Sequence, residues 1–253
     1  MVKVNIYKNN GTSSEKIDLP KIFDMKYRPD IIKKSFNVFQ SNKRKQYGAS
    51  PSSGCRHATA SVGKGRGMSR VPRLTQGRRA ALAPCVVGGR RAHPPKAERN
   101  WKEKINKKEK EMAKKSALAT TANKELVTKR GHKFDDKITL PIIVDNNFEK
   151  IEKTKDLIKT LEKIGLYEDV IRSNNGKHIR AGKGKSRGRK YKTPKSILII
   201  STNESLIKCS NNITGVDAVK PNQININYLA PGGNPGRLTV ITKSALKIIG
   251  DGK

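Results

Sequence analysis

Ser196-Ile197-Leu198-Ile199-Ile200-Ser201 places four aliphatic residues in succession with no polar residue between them. A half-exposed strand alternates apolar and polar side chains. An unbroken run this short reads instead as a strand covered on both faces, the arrangement of a parallel sheet between layers of helix. The neighbouring segments repeat the theme. Upstream, Thr139-Leu140-Pro141-Ile142-Ile143-Val144 reads as another buried strand, and Phe148, Ile151, Ile158 and Leu161 mark an amphipathic helix that Gly165 stops. A short helix over residues 168–172 follows. Downstream, residues 216–219 read as a weaker strand, 224–229 as an irregular connection, 237–242 as the last strand and 243–249 as the last helix. This alternation across residues 140–249 predicts an α/β fold, a mostly parallel sheet flanked by helices.

The N-terminal part adds to the same body. Val2, Val4 and Ile6 alternate with polar residues as a strand would, residues 17–20 return as a second strand, and a helix over residues 28–40 presents Ile32, Phe36 and Phe39 on one face. Another helix is predicted from Pro94-Pro95, where proline suits a first turn, to about residue 129 before Gly131. Its apolar stripe would be Ile105, Met112, Ala119 and Leu126, spaced by seven. Trp101 begins that stripe and reads as a packing residue rather than a base-stacking platform. Residues 1–42 and 96–253 are thus expected to form one globular α/β domain, with 43–95 a long extended internal basic loop and 173–195 a second basic loop.

Those loops carry the strongest signal of function. The 253 residues hold 55 Lys and Arg against 21 Asp and Glu, a formal charge of +34. Residues 31–97 contain no acid and 15 Lys or Arg; residues 170–203 also contain no acid. The first of these repels itself and has little apolar matter to bury, so it needs a dense polyanion. Folded RNA is the polyanion that fits. Glycine lets the backbone pass close to phosphates, and arginine forks across phosphate oxygens and stacks on bases. Gly63-Lys64-Gly65-Arg66-Gly67 then reads as a narrow tip between RNA helices. In the second segment Lys177, Arg180, Lys183, Lys185, Arg187, Arg189, Lys190 and Lys192 are the candidate contacts.

Other classes of chemistry find little footing. Gly182-Lys183-Gly184-Lys185-Ser186 lacks the upstream glycine of a phosphate-binding loop, because Ile179 stands there. Gly232-Gly233-Asn234-Pro235-Gly236 reads as a turn into the last strand. Cys55, His57, Cys85 and His93 have no paired half-site spacing for zinc, so no metal and no cofactor is expected. His57, His93, His132 and His178 all lie beside basic residues and read as RNA-facing or surface groups. No nucleophile–base constellation stands out, so an enzyme is not expected. Three scattered cysteines, no apolar leader and no membrane-length run lead to the expectation of a soluble cytoplasmic protein.

Several motifs are recognisable in combination. Residues 63–73, GKGRGMSRVPR, are followed by residues 88–96, GGRRAHPPK, then Ile105-Asn106-Lys107-Lys108-Glu109 and Arg130-Gly131-His132. Residues 180–189, RAGKGKSRGR, and Leu229-Ala230-Pro231-Gly232-Gly233 come next. In this order they resemble the L-four family of large-subunit ribosomal proteins over nearly the whole chain, in the archaeal form. The eukaryotic form usually has a long basic C-terminal extension, and the end at Lys253 points away from it. The resemblance implies a structural protein of the large ribosomal subunit that binds 23S-type rRNA, supports assembly and lines part of the nascent-polypeptide exit tunnel with its internal loop. It further implies rRNA, neighbouring ribosomal proteins and the nascent polypeptide as partners, no membrane, and no homo-oligomer. By motif, Gly63, Lys64, Gly65, Arg66, Gly67, Met68 and Arg70 would form the tunnel tip. Arg56, Lys64, Arg66, Arg70, Arg73, Arg78, Arg79, Arg90, Arg91 and His93 would hold the loop on rRNA. Two rivals remain at this point: a stand-alone RNA-binding or translational regulatory protein, and an enzyme acting on RNA.

Overall fold

The computed structural model describes residues 3–250. Val2, expected to open the first strand, lies outside them. Two strands come first, β1 (Lys3–Tyr7) and β2 (Ser13–Asp18), followed by α1 (Pro29–Lys43) and a short ribbon of β3 (Thr59–Ser61) and β4 (Pro72–Leu74). After it come α2 (Lys107–Ala119), α3 (Lys124–Lys129), β5 (Ile142–Val144), α4 (Thr154–Ile164) and α5 (Tyr167–Asn175). A second ribbon, β6 (His178–Ile179) and β7 (Tyr191–Lys192), precedes β8 (Leu198–Ile200), α6 (Glu204–Ser210), β9 (Asp217–Val219), α7 (Ile226–Leu229), β10 (Thr239–Thr242) and α8 (Lys243–Gly250).

The main sheet has the order β2-β1-β5-β10-β8-β9. Only β2 is antiparallel; every other neighbouring pair is parallel. The aliphatic run that predicted a doubly covered strand is β8, with Leu198, Ile199 and Ile200 all fully buried. Alternate residues feed two different cores. Ile142, Val144, Ile199 and Val240 face Leu157, Leu161 and Val170 of α4 and α5, with Leu206 and Cys209 of α6. Ile143, Leu198, Ile200 and Ile241 face Ile32 of α1, Ala113 and Ala117 of α2, and Leu246 of α8. The fold is therefore α/β with a mostly parallel sheet flanked by helices, as the sequence predicted.

Gly165 ends α4 with φ of 84°, and its N–H bonds back to Glu162 and Leu161 carbonyls. A Cβ there would also meet the carboxylate of exposed Asp135, which can swing aside, so it is the left-handed backbone that favours glycine.

Several expectations fail. The helix foreseen from residue 94 begins only at Lys107 and breaks at residues 120–123, where Asn123 caps α3 through its side chain. The seven-residue stripe is also wrong: Met112 is 40% exposed, while Ala113 and Ala117 are fully buried. Small side chains let α2 lie close to its neighbours, and close approach buries area that a hydrophobic periodicity does not weigh. The second strand occupies residues 13–18 rather than 17–20; it is an exposed sheet edge, so apolar alternation is not needed there. The helix expected from Phe148 starts at Thr154, after a tighter turn at Asn146–Lys150. Residues 226–229, expected to be irregular, make one helical turn capped by Asn225.

Contacts divide the chain into two compact units, one of Met1–Gln40 with Lys104–Lys253, the other of Ser41–Glu103.

Candidate nucleic-acid interface

Within Ser41–Glu103, β3 and β4 pair antiparallel, with Ala60 opposite Arg73. The ribbon continues as a third layer, because Arg73 also bridges Ala80, and Ala81 N–H donates to Pro72 O at 2.9 Å. Residues 62–71 close the ribbon. Gly63, Gly65 and Gly67 there have φ of 73°, 79° and 60°, a left-handed repeat that L side chains disfavour. A Cβ on any of the three would touch nothing within 4 Å, so the requirement is conformational and the surroundings are open. The long segment expected to lack structure thus contains a short hydrogen-bonded scaffold.

The predicted contact residues from Arg56 to His93 are exposed with one exception. Arg73 is half-buried, and its guanidinium donates to Arg78 O at 2.6 Å and Ser69 O at 3.3 Å. It braces the ribbon beside Arg70 and Arg78. Arg56 Nε donates to Ser52 Oγ at 3.0 Å. Among the described residues, no Lys or Arg between residues 44 and 99 lies in an ion pair.

The two chain segments that open and close this unit are laced together. Ser41 Oγ donates to Trp101 O at 2.6 Å, Glu103 N–H donates to Asn42 Oδ1 at 2.9 Å, and Ala49 N–H donates to Pro95 O at 2.9 Å. Trp101 belongs to no helix, which corrects its reading as the start of a helical stripe. Its ring carries the Arg44 guanidinium at 3.7 Å and the Arg99 guanidinium at 4.2 Å, and Tyr47 lies parallel to it at 6.3 Å.

The second basic segment is a hairpin on the sheet-bearing unit. His178 pairs with Lys192 and Ile179 with Tyr191, and Arg180 N–H donates to Lys190 O at 2.9 Å. Lys177, Arg180, Lys183, Lys185, Arg187, Arg189 and Lys190 are all exposed, and among the described residues none is ion-paired with a carboxylate. Tyr191, half-exposed, has the Lys177 and Lys190 ammonium groups 5.1 and 5.5 Å from its ring centre.

The base of this hairpin is fixed by a buried polar network. Arg172 donates to Lys195 O at 2.8 Å and Ser173 Oγ to Pro194 O at 2.7 Å. Asp169, fully buried, accepts from Arg172 Nε at 2.8 Å, Ser196 Oγ at 2.7 Å, Lys133 N–H at 3.0 Å and His132 Nδ1 at 3.0 Å. Burial pushes its carboxyl up, but the hydrogen bonds outweigh burial and hold it well below the usual carboxylate range. Burial pushes the His132 imidazole down, against the pull of Asp169. A neutral ring donating from Nδ1 satisfies both. His132 was expected at the surface; it is 5% exposed, because an acid thirty-seven residues away in sequence turns it inward. Arg237, fully buried, donates to the carbonyls of Ser196 and Tyr228 at 2.8 and 2.9 Å and lies 2.7 Å from Asp217. Nothing in the sequence singled out Arg237 or Asp169; only the fold brings their partners together.

At the carboxyl ends of β5, β8 and β10, where open α/β sheets hold ligands, the chain places its own Glu149. Its Oε1 accepts from Thr242 Oγ1 at 2.6 Å and Ser201 Oγ at 3.2 Å, and also from Ser244 Oγ. Among the described residues no three His, Cys, Asp or Glu side chains are grouped to hold a metal, and no helix is long and apolar enough to cross a membrane.

Comparison with known proteins gives a consistent result. The family model described as Ribosomal protein L4/L1 family matches residues 17–251. Large ribosomal subunit protein uL4 of Archaeoglobus fulgidus is 47% identical over 251 residues, covering 99% of each chain. The uL4 proteins of Methanocaldococcus jannaschii and Haloquadratum walsbyi are 49% and 42% identical, over at least 97% of each chain.

Proposed function

Because this chain belongs to the ribosomal protein L4/L1 family, and is therefore a structural constituent of the large subunit of the cytoplasmic ribosome, we propose that its two acid-free segments bind the rRNA of that subunit. Residues 43–95 form the internal loop in this reading, and residues 63–70 line the exit tunnel for the nascent polypeptide. The observation that carries it is the unanswered charge: among the described residues, the exposed arginines and lysines of residues 44–97 and 177–192 have no carboxylate partner. Phosphates supply the missing countercharge. Arg66, Arg70, Arg78, Arg79, Arg90 and Arg91 fork across them, and the released counterions give affinity that salt weakens. Contacts of this kind position the protein and read RNA shape rather than sequence. Arg73 contributes differently, by holding the ribbon from which Arg70 and Arg78 project. The work is electrostatic and steric: charge is neutralised where RNA strands converge, and a short ordered tip forms part of a channel wall.

Exchanging Arg66, Arg70 and Arg73 together for Glu tests this. Wild-type chain is expected to sediment with the large subunit at moderate salt, and the variant to lower the yield of complete subunits. Normal subunit yield with unchanged translation refutes the role of the tip.

A further inference from the structure

We propose that Tyr47 and Trp101, with Arg44 and Arg99, form a stacking site for one unpaired nucleobase and its flanking phosphates. The proposal rests on the RNA-binding reading above and gives it a specific site outside the glycine–arginine tip. Two guanidinium groups share one indole, so they can be no further apart than their 3.7 and 4.2 Å separations from its centre laid end to end. Like charges at that range repel, and among the described residues no carboxylate answers either of them. The indole's negative face offsets part of that repulsion. Phosphates beside the two guanidinium groups offset the rest.

The aromatic half of the site is open. Tyr47 lies within 7° of parallel to Trp101 and is 55% exposed, so this short column of rings leaves Tyr47 open to solvent. A nucleobase continues such a column, because every base has a π-face and both aromatic rings and guanidinium planes stack on it. The site is also held in shape before any ligand arrives. Ser41, Asn42 and Ala49 are tied to Trp101, Glu103 and Pro95 through the hydrogen bonds that lace the two segments, so little ordering is left for binding to impose. A bare polyphosphate satisfies the guanidinium pair but leaves Tyr47 uncovered; a duplex keeps its bases stacked on one another. Single-stranded RNA matches both halves.

Trp101 is the chain's one tryptophan, so its emission reports on this site directly. The full chain is titrated with single-stranded oligoadenylate, with inorganic polyphosphate and with a large-subunit rRNA transcript. Oligoadenylate and the transcript are expected to quench Trp101, and polyphosphate to bind without comparable quenching. Tyr47→Ala should weaken oligoadenylate binding about tenfold, the effect of losing one base–aromatic stack, while polyphosphate binding is unchanged and Tyr47→Phe behaves as wild type. Because Tyr47 is exposed, far-ultraviolet circular dichroism should be the same for all three proteins. Equal oligoadenylate affinity for Tyr47→Ala and wild type, or equal quenching by polyphosphate, overturns the stacking site and leaves RNA binding intact. Failure of wild-type chain to bind either the transcript or oligoadenylate overturns the reading beneath it.

Discussion

His132 and Asp169 show how two buried polar residues hold an exposed basic segment in place. Asp169 ties α5 to Ser196 at the start of the buried β8 run, and Arg172 carries the same connection to Lys195, so the basic hairpin of residues 177–192 springs from a fixed base. The neutral imidazole makes that base sensitive to pH. Burial lowers the His132 pKa in the folded protein, so below the ordinary imidazole value of 6.5 the unfolded chain takes up a proton that the folded chain refuses. The His132 contribution is complete above about pH 6.5 and declines as pH falls toward the depressed folded value. Asp169 acts in the same direction but lower: its depressed carboxyl keeps its contribution until pH falls beneath the ordinary carboxylate range. The urea midpoint should therefore drop between pH 7.5 and 5.5, and His132→Asn, whose amide can still donate to Asp169, should flatten that drop. A wild-type midpoint that does not move contradicts the assignment of a buried neutral ring. Arg237 has the heavier structural duty. Replacing it by Leu strands four carbonyl oxygens and one face of Asp217, and should cost about 3 kcal/mol in a urea titration. A destabilisation under about 1 kcal/mol removes it as the brace between β8, β9 and the turn before β10.

At the scale of elements, what the sequence made legible was whatever depends on a local repeat. Unbroken aliphatic runs marked β5 and β8 because a strand buried on both faces needs no polar partner residue. α1 and α4 showed their faces through Ile32 and Phe36, and through Ile158 and Leu161, all packed into or against the cores. α2 was misread because its packing face is made of Ala113, Ser116 and Ala117, residues that carry almost no hydrophobic signal. The same reasoning failed at Trp101, whose partners Arg44 and Tyr47 are brought to it by chain crossing rather than by helical spacing. The exposed cations of the candidate interface were legible because charge alone marks them, in residues 56–93 and 177–190. The buried polar residues His132, Asp169 and Arg237 were illegible, because burial and distant partners decide their roles. The two readings of α2 give different outcomes for substitution. Ala113→Leu should destabilise the fold by about 1–3 kcal/mol through overpacking. Met112→Ala, at the position the seven-residue stripe favoured, should stay within about 0.5 kcal/mol. The reverse ranking in thermal or urea unfolding would restore the stripe.

For the whole molecule, charge is partitioned rather than spread. Residues 31–97 hold 15 Lys and Arg and residues 170–203 hold 10, without one acid; the remaining residues balance 30 basic against all 21 acidic groups. Most of the excess sits within these two segments on residues 43–97 and 177–192, the basic loop and hairpin, rather than on the buried α1 face and β8 that share the same segments. Such a distribution makes stability and RNA affinity respond in opposite directions to the same change. Exchanging Lys183, Lys185, Arg187 and Arg189 for Ala removes four exposed cations from a hairpin in which, among the described residues, none meets a carboxylate. Self-repulsion falls, so the urea midpoint of the free chain should hold or rise slightly. Binding to rRNA should weaken, and it should weaken in a particular way: each phosphate left without its cation reduces the dependence of log affinity on log salt by about 0.7 on unpaired strands. Four such phosphates lower that slope by about 3. Two measurements on one variant, a denaturation curve and a binding series across salt, therefore separate a hairpin that meets phosphate from one that is only a solvated surface. In the second case the salt slope of the variant equals that of the wild type, whatever happens to its stability.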